Sequence, residues 1–382
     1  MAPILLFSAA AALLLYVLLG YPLLAALLAR CRPNPFRPKP LLKKISIVIP
    51  VRNGERFVRH KLQSVLQLEY PRELVEVLVV SDGSTDSTDS LVGEFADQGV
   101  RLCRVPHGGK PAALNYAIPL TKGEILVLTD IRQPLAPDSV QLLVNAFADP
   151  AVGVASGNLV IRRNSAQGES GVGLYWRYEM WIRDCLSRID SIFGAVGPFY
   201  ALRRELAVPI PEDTLLDDVY LPLAVFFRGF RLVVEARALA FDFPTTLKTE
   251  FRRKVRTLAG NYQILLDYPA LLGPRNRMWF HFMSYKFGRL LLPYALLAMA
   301  GSSPFLPSPY GWLAMLAQAC AYGLALLDPA IPEKLFLKRI SSPIRTLAVL
   351  MVATVLGLQV FFVSPRSLWK ETKILEHKGS AQ

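Results

Sequence analysis

The sequence predicts an α/β doubly wound domain with a mostly parallel sheet, and transmembrane α-helices at both ends of the chain. Two observations predict this class. Uncharged stretches long enough to cross a bilayer lie near both ends of the 382-residue chain, of which 52% is hydrophobic. Between them, short apolar runs alternate with segments of helical periodicity, which is typical of a sheet covered by helices.

The N-terminal element is predicted to be a transmembrane helix over residues 1–29. No charged residue occurs from Ala2 to Ala29. A signal peptide is the alternative, but the run is longer than an h-region, no basic segment precedes it and no A-x-A-like site closes it. A basic juxtamembrane linker follows over residues 30–44, and its arginines and lysines favour the cytoplasmic side of a membrane. We therefore expect the N-terminus outside and the next domain in the cytoplasm.

The C-terminal part is predicted to contain a basic interfacial segment over residues 246–289 and about three transmembrane helices over residues 290–365. Residues 290–327 are uncharged and too long for one span, so the proline-rich stretch Ser302–Pro309 is expected to turn a helical hairpin. Residues 346–365 supply one more span, and a tail follows over residues 366–382. Basic residues are equally frequent before and after the last span, so charge does not settle the side of the tail.

The net charge of +13 does not indicate a nucleic-acid partner, because the basic residues cluster beside apolar spans, where anionic headgroups attract them.

The four cysteines are widely spaced without a CxxC, and the histidines are scattered, so neither a disulfide framework nor a zinc site is predicted. The first predicted strand is followed by Pro50-Val51-Arg52-Asn53-Gly54 rather than by GxGxxG, and no Walker A motif occurs.

The central domain is predicted over residues 45–245, with apolar strands beginning at Ile45, Val75, Val100, Glu124 and Val152. Strands without alternating polarity are typical of a parallel sheet buried on both faces, whose ligands lie beyond the carboxyl ends of the strands. The second strand runs into Asp82 and the fourth into Asp130. One such aspartate is equally well explained as a helix N-cap, but two favour a ligand site. Gly108-Gly109-Lys110 opens a helix and offers amides and a lysine to phosphate, although Gly-Gly turns before helices are common.

Five motifs, in this order and spacing, resemble those of the family-two inverting glycosyltransferases with a GT-A fold: IPVRNGE at Ile49, VVSDGSTD at Val79, GGKPAALN at Gly108, VLTDIRQPLAPD at Val127 and LLDDVYLP at Leu215. The resemblance covers about residues 45–263. With the flanking spans, it is similar to the membrane-bound branch that makes polysaccharides or glycolipids in bacteria. It implies a GT-A-like fold, a UDP-sugar donor, a lipid or polysaccharide acceptor and a multi-pass location in the inner (cytoplasmic) membrane, with the catalytic domain in the cytoplasm.

The resemblance also implies roles for individual residues. Asp82 would hold the uracil, Lys110 and Asn115 would lie along the donor, and Asp130 would be the first acid of a DxD element beside the diphosphate. Asp218, with Asp217 beside it, becomes the base, since an inverting transfer needs a carboxylate to take the proton of the acceptor hydroxyl. An N-cap pair is the alternative for these two acids. The other implied donor-binding residues are Pro50, Asn53, Glu55 and Arg132, and the implied acceptor or diphosphate residues are Gly197, Arg253 and Arg256.

Two departures from the family pattern affect these expectations. Arg132 stands where the second DxD acid would bind Mg²⁺ or Mn²⁺, and a guanidinium cannot ligate a metal. It either points toward the diphosphate or turns away to a surface carboxylate; we expect a divalent metal to assist through Asp130 in both cases. Arg253 and Arg256 match the basic positions of a Q/R-x-x-R-W element, but Thr257 replaces the tryptophan, which argues against processive elongation. The same basic segment is also suited to binding lipid headgroups.

The sequence leaves two other functions open. One is a polyprenyl-phosphate sugar transferase, and the other is a catalytically inactive GT-A membrane scaffold or export partner. The intact Asp82, Asp130 and Asp218 argue against the scaffold, while Arg132 is its best support. The sugar, the acceptor, the linkage and any assembly partner are not encoded in a recognisable pattern, because sugar selection depends on single hydrogen bonds.

Overall fold

The chain forms two compact units in a computed structural model that describes residues 1–161, 170–243, 247–332 and 334–368. The helical unit consists of Met1–Arg32, Arg163–Cys185 and Thr245–Gln382, and the sheet unit of Pro33–Arg162 and Leu186–Pro244. Residues 170–185, which the sequence assigned to the central domain, thus cluster with the helical unit. The predicted boundary at residue 245 and most of the predicted tail lie outside the described residues.

The α-helices of the described residues are, in chain order, α1 (Ala2–Leu15), α2 (Tyr21–Cys31), α3 (Glu55–Leu66), α4 (Thr88–Gly93), α5 (Lys110–Ala117), α6 (Ser139–Ala146), α7 (Ser170–Ile189), α8 (Asp217–Phe227), α9 (Leu247–Asp267), α10 (Trp279–Phe282), α11 (Gly288–Ser302), α12 (Tyr310–Leu327) and α13 (Phe336–Gly357). The strands are β1 (Ile45–Val51), β2 (Val75–Asp82), β3 (Val100–Val105), β4 (Ile125–Thr129), β5 (Val152–Ile161), β6 (Phe199–Arg203) and β7 (Arg231–Asp242).

The sheet unit is built on a seven-stranded sheet with the order β3-β2-β1-β4-β6-β5-β7. All five predicted strands are present, and the pairings β1–β2, β1–β4, β2–β3 and β5–β7 are parallel, as expected. β6 is antiparallel to both of its neighbours, β4 and β5. The expectation that every predicted strand is buried on both faces is wrong for β3, because it lies at the edge of the sheet and only half-buries its side chains.

The helical unit contains three helical stretches that are long and apolar enough to cross a membrane within the described residues: Ala2–Cys31, Tyr310–Ala330 and Phe336–Phe361. The first matches the predicted N-terminal span. The predicted hairpin is present as α11 and α12, with its turn at the proline-rich stretch. α11 alone has 15 residues, fewer than the about 20 that a span requires, and the last span begins ten residues before the predicted position 346.

Close helix packing in the helical unit depends on two glycines. A Cβ on Gly288 of α11 would lie 3.0 Å from the side chain of Val17, and one on Gly357 would lie 3.0 Å from the backbone nitrogen of Ala259. Val17 forms a small core with Leu292 of α11 and Met351 of α13. Glycine at such crossings lets helix backbones approach closely, which is a common way to hold membrane helices together.

Candidate active site

The loops after β1 and β2 form one rim at the carboxyl edge of the sheet. Asn53 adopts a positive φ of 50°, and its Oδ1 accepts a hydrogen bond from the Thr85 backbone N–H at 2.9 Å. Glu55 accepts one from the Ser87 N–H at 3.1 Å. Pro50 lies in β1 opposite Val80. The structure therefore brings the predicted residues Pro50, Asn53 and Glu55 to the same edge as the end of β2.

Asp82, the last residue of β2, anchors the Gly-Gly turn that precedes α5. Its carboxylate accepts the N–H of Gly108 at 2.7 Å and that of Gly109 at 3.0 Å, and it lies 2.9 Å from Nδ1 of His107. These bonds set the position of Lys110, the first residue of α5. From the sequence, Asp82 was expected only to hold the uracil of the donor, and His107 was not predicted. The only sequence signal for His107 is its place immediately before the two glycines.

Lys110 brings together acidic residues from two other elements. Its Nζ lies 3.0 Å from Asp130, which follows β4, and 2.9 Å from Asp217, which begins α8. Burial opposes the charge on this lysine, but Asp130 and Asp217 raise the pKa of Lys110 well above its ordinary value. Burial likewise works against ionised Asp130, yet Lys110 holds the pKa of Asp130 below its ordinary value. The site is thus a charged cluster at neutral pH.

Asp217 and Asp218 open α8, where the positive end of the helix dipole stabilises carboxylates. Asp217 is buried, with 4% of its surface exposed, whereas Asp218 is partly exposed. The Asp218 carboxylate lies against Gly197, because a Cβ at that glycine would be 2.6 Å from Asp218 Oδ2. The two acids are therefore in different environments, and the sequence-predicted Gly197 provides the space for the second one.

Two predicted donor-binding residues have protein partners in the structure. Asn115 donates to the carbonyl of Ile210 at 2.7 Å and accepts from its N–H at 2.8 Å, so it holds the segment that precedes α8. Arg132 donates to Asp242 at the end of β7 at 2.7 Å. Of the two orientations expected for Arg132, the structure has the one toward a carboxylate, but that carboxylate is buried rather than at the surface.

A divalent cation would find one suitable protein ligand here. Within the described ranges, no group of three or more His, Cys, Asp or Glu is arranged to hold a metal ion. Asp130 offers a carboxylate with 36% of its side chain exposed, while Arg132 occupies the position of the second acid. Hard cations are commonly held by one or two carboxylates together with substrate phosphates, so Asp130 fits this kind of site only in combination with a donor.

Arg253 and Arg256 lie on α9 in the helical unit. Arg253 pairs with Glu250 at 3.6 Å, and Lys254 pairs with the same glutamate at 3.4 Å. Lys254 also lies 5.5 Å from the ring centroid of Tyr175 on α7. The predicted basic cluster therefore lies on one helix, where Arg253 and Lys254 have acidic and aromatic partners.

The chain matches the family model for Glycosyl transferase family 2 over residues 46–207 and that for Glycosyl transferase family group 2 over residues 132–362. The second match covers more than half of the chain. The chain therefore belongs to the family 2 glycosyltransferases, as its five motifs predicted.

Among its relatives are a beta-monoglucosyldiacylglycerol synthase of Nostoc, 26% identical over 281 residues, and a poly-beta-1,6-N-acetyl-D-glucosamine synthase of Staphylococcus aureus, 24% identical over 237 residues. The matches cover 69% and 59% of this chain, and 58% and 56% of those proteins. The fold is similar to that of a mannosyltransferase from Pyrobaculum calidifontis in complex with GDP-Man and Mn²⁺. That likeness has a TM-score of 0.70 at 23% identity and covers 92% of this chain and 99% of the other, which confirms the GT-A-like fold.

Proposed function

We propose that the protein is an inverting, membrane-bound glycosyltransferase that moves a sugar from a UDP-sugar to a lipid or polysaccharide acceptor at the cytoplasmic face of the membrane. The observation that carries this proposal is the cluster of Lys110, Asp130 and Asp217 beside Asp218 at the carboxyl edge of the sheet. The two relatives named above, one a glycolipid synthase and one a polysaccharide synthase, support this range of acceptors.

Asp218 is the proposed base. It is the more exposed of the two acids at the start of α8, and its carboxylate lies against Gly197. A carboxylate in that place takes the proton of the acceptor hydroxyl as the oxygen attacks the anomeric carbon from the face opposite the diphosphate. Asp217 is buried and paired with Lys110, so it positions the lysine rather than the acceptor.

Lys110 and Asp130 are the proposed partners of the departing diphosphate. Negative charge builds on the leaving group, and a fixed ammonium in a partly buried site stabilises it more strongly than water does. A divalent ion, Mg²⁺ or Mn²⁺, held by Asp130 and donor oxygens would supply additional positive charge to the same group. Lys110 orients Asp130 for either arrangement, because its Nζ lies 3.0 Å from that carboxylate.

The direct test is UDP release by membranes that contain the protein, with UDP-glucose and UDP-N-acetylglucosamine as donors and a lipid extract as acceptor. We expect release that depends on the acceptor and a product heavier than the acceptor by one glycosyl residue, which is the sugar less one water. The Asp218→Asn variant serves as the matched inactive control. Lack of turnover with any donor and any extract would contradict the proposal and favour a membrane scaffold.

A further inference from the structure

Tyr200 on β6 carries a buried hydroxyl that makes no hydrogen bond within the part of the chain that the structure describes. Its side chain is fully buried, with 0% of its surface exposed, and no hydrogen-bond partner for its hydroxyl occurs in the described residues. An unpaired buried donor is unfavourable, so such a group is expected to have a partner in another state of the protein.

The register of the sheet places Tyr200 beneath the charged cluster. Thr129 of β4 points to the face of α3, because its hydroxyl is 2.7 Å from Lys61 Nζ. Successive residues alternate between faces, so Leu128 and Asp130 point to the opposite face. Tyr200 is paired directly with Leu128, and the N–H of Asp130 continues this ladder by donating to Pro198 at 3.2 Å. Tyr200 therefore shares the face of Asp130.

A complementary group is buried in the same cluster. Besides the ammonium of Lys110 at 2.9 Å, Asp217 Oδ2 has no hydrogen-bond partner among the described residues. Burial, together with the carboxylates of Asp217, Asp218 and Asp130, raises the pKa of Tyr200 well above its ordinary value. The phenol therefore remains a neutral O–H donor. The Asp217 carboxylate, which can accept another hydrogen bond, is close enough to act on it electrostatically.

We propose that Tyr200 is a positioning residue whose hydroxyl donates to the Asp217 carboxylate when Lys110 turns from Asp217 to the diphosphate of the bound donor. The lysine is then free to bind the diphosphate without leaving a buried carboxylate unpaired, which would otherwise oppose its movement. This inference rests on the proposed function, since it requires a diphosphate ligand.

The test compares Tyr200→Phe with Tyr70→Phe, a matched control whose hydroxyl bonds to the backbone of Lys43 at 2.9 and 2.7 Å. In the absence of ligand, Tyr200→Phe is expected to keep or raise the thermal unfolding midpoint, whereas Tyr70→Phe lowers it. With ligand, Tyr200→Phe is expected to weaken binding of UDP by about tenfold to a hundredfold, the range for a hydrogen bond to a charged group, and to leave uridine binding unchanged. Tyr70→Phe should change neither affinity.

A double-mutant cycle identifies the partner. In the Asp217→Asn background, we expect Tyr200→Phe to change UDP affinity less than twofold, because the charged acceptor is already absent. Unchanged UDP affinity in Tyr200→Phe, an equal effect in both backgrounds, or a lowered midpoint without ligand would each overturn the proposal. UDP binding without any sugar transfer by the wild type would contradict the proposed transferase activity but would leave this comparison intact. If the wild type binds no UDP, the cycle has no effect to measure and both proposals are overturned.

Discussion

Lys110 is the residue at which the charges of the candidate site meet, since two carboxylates lie 3.0 and 2.9 Å from its Nζ. One ammonium between two acids leaves the site with excess negative charge, which would repel a diphosphate. Either the donor arrives with a cation, or Lys110 changes partners. In the proposed mechanism the two acids of α8 have separate tasks: Asp217 holds the lysine until the donor binds, and Asp218 takes the proton of the acceptor hydroxyl.

The first prediction separates these two acids. Asp218→Asn should lower transfer by roughly 10²–10⁴, the contribution of a general base, and leave UDP affinity within a few-fold. Asp217→Asn should lower transfer less. Steady-state rates and UDP titrations measure both effects, and a larger loss of rate in Asp217→Asn would assign the base to Asp217 instead.

Gly197 provides an independent test of the same assignment. Because a Cβ there would lie 2.6 Å from Asp218 Oδ2, Gly197→Ala should displace the base and reduce transfer while UDP affinity is retained. Gly93→Ala is the control, since a Cβ at Gly93 meets nothing within 4 Å. Full activity of Gly197→Ala would show that the position of Asp218 is unimportant for the reaction.

The second prediction concerns Asp82. Asp82→Ala removes the acceptor for the N–H groups of Gly108 and Gly109, which are partly buried. Each N–H left without a partner destabilises the turn by up to about 1–3 kcal/mol. We expect weaker UDP binding, because the turn that carries Lys110 loses its anchor. His107→Ala removes a more exposed contact and should have a smaller effect. UDP affinity equal to that of the wild type in Asp82→Ala would place the nucleotide elsewhere.

The third prediction tests the metal. Transfer should fall sharply in EDTA and return with Mg²⁺ or Mn²⁺, because the leaving diphosphate needs additional positive charge. Independently of turnover, the cation should strengthen UDP binding to the wild type and to Asp97→Asn, a variant at an exposed acid, but not to Asp130→Asn. Full activity in EDTA would contradict the metal requirement, and Lys110 would then be the cation in the sheet unit's cluster that stabilises the leaving diphosphate.

Most of the residues of the cluster could be predicted because they lie within contiguous motifs. The partners of Arg132 and Asn115 could not. Asp242 lies 110 residues after Arg132, on a strand that the sequence analysis did not predict, and Ile210 contributes only backbone atoms to Asn115. Contacts of this kind depend on how distant segments meet, so no local pattern of residues reports them.

At the scale of secondary-structure elements, α3 supports the turn that carries Asp130. Lys61 is buried on α3 and donates to Thr129 Oγ1 at 2.7 Å and to the carbonyl of Gln133, the two ends of that turn. Ser64, one turn later, accepts from the N–H of Leu135 at 3.2 Å. A buried ammonium with only neutral direct partners is costly, so burial acts against the charged form of Lys61.

This contact gives the fourth prediction, on pH. Burial lowers the pKa of Lys61 to about 7 from 10.5, with a smaller opposing effect of Asp130. Between these values the unfolded chain binds a proton that the folded protein does not, so folded stability rises with pH by up to about 1.4 kcal/mol per unit. Lys61→Met lacks this contribution. The wild-type unfolding midpoint should therefore increase relative to that of Lys61→Met from pH 7 toward 10.5; a constant difference would mean that Lys61 stays charged.

The five predicted strands could be located because each is a short run rich in apolar residues, most clearly the β-branched run of β1. β6 was not among the predicted strands, and its direction could not be predicted either, since Phe199–Arg203 is equally compatible with parallel and antiparallel pairing. Its direction depends on how the preceding segment returns to the sheet from α7. The antiparallel insertion nevertheless matters for the site, because it puts Pro198 opposite Asp130 and Tyr200 beneath the cluster.

For the whole molecule, the length of the helical stretch that contains α11 bears on the membrane topology. α10, a π-turn and α11 form one continuous helical stretch from Trp279 to Ser302, about 36 Å long at about 1.5 Å per residue. That length spans the hydrocarbon core. The stretch contains two charged residues, Lys286 and Arg289. Arg289 pairs with Glu179 of α7 at 2.5 Å, which reduces the cost of placing the arginine near the membrane.

The last prediction follows from this argument. If the linker after α2 is cytoplasmic and the stretch from Trp279 crosses, the turn between α11 and α12 lies outside, α12 returns to the cytoplasm, and α13 crosses outward again. The side of the membrane can be measured with single cysteines at Gly301 and Gly93, where a Cβ meets nothing within 4 Å. The background for both variants has Cys31, Cys103 and Cys320 replaced by serine. An impermeant maleimide should label Gly301→Cys in right-side-out vesicles and Gly93→Cys only in inverted ones. Labelling of both solely in inverted vesicles would mean that α11 turns back without crossing, and the end of α13 would then lie in the cytoplasm with the sheet unit.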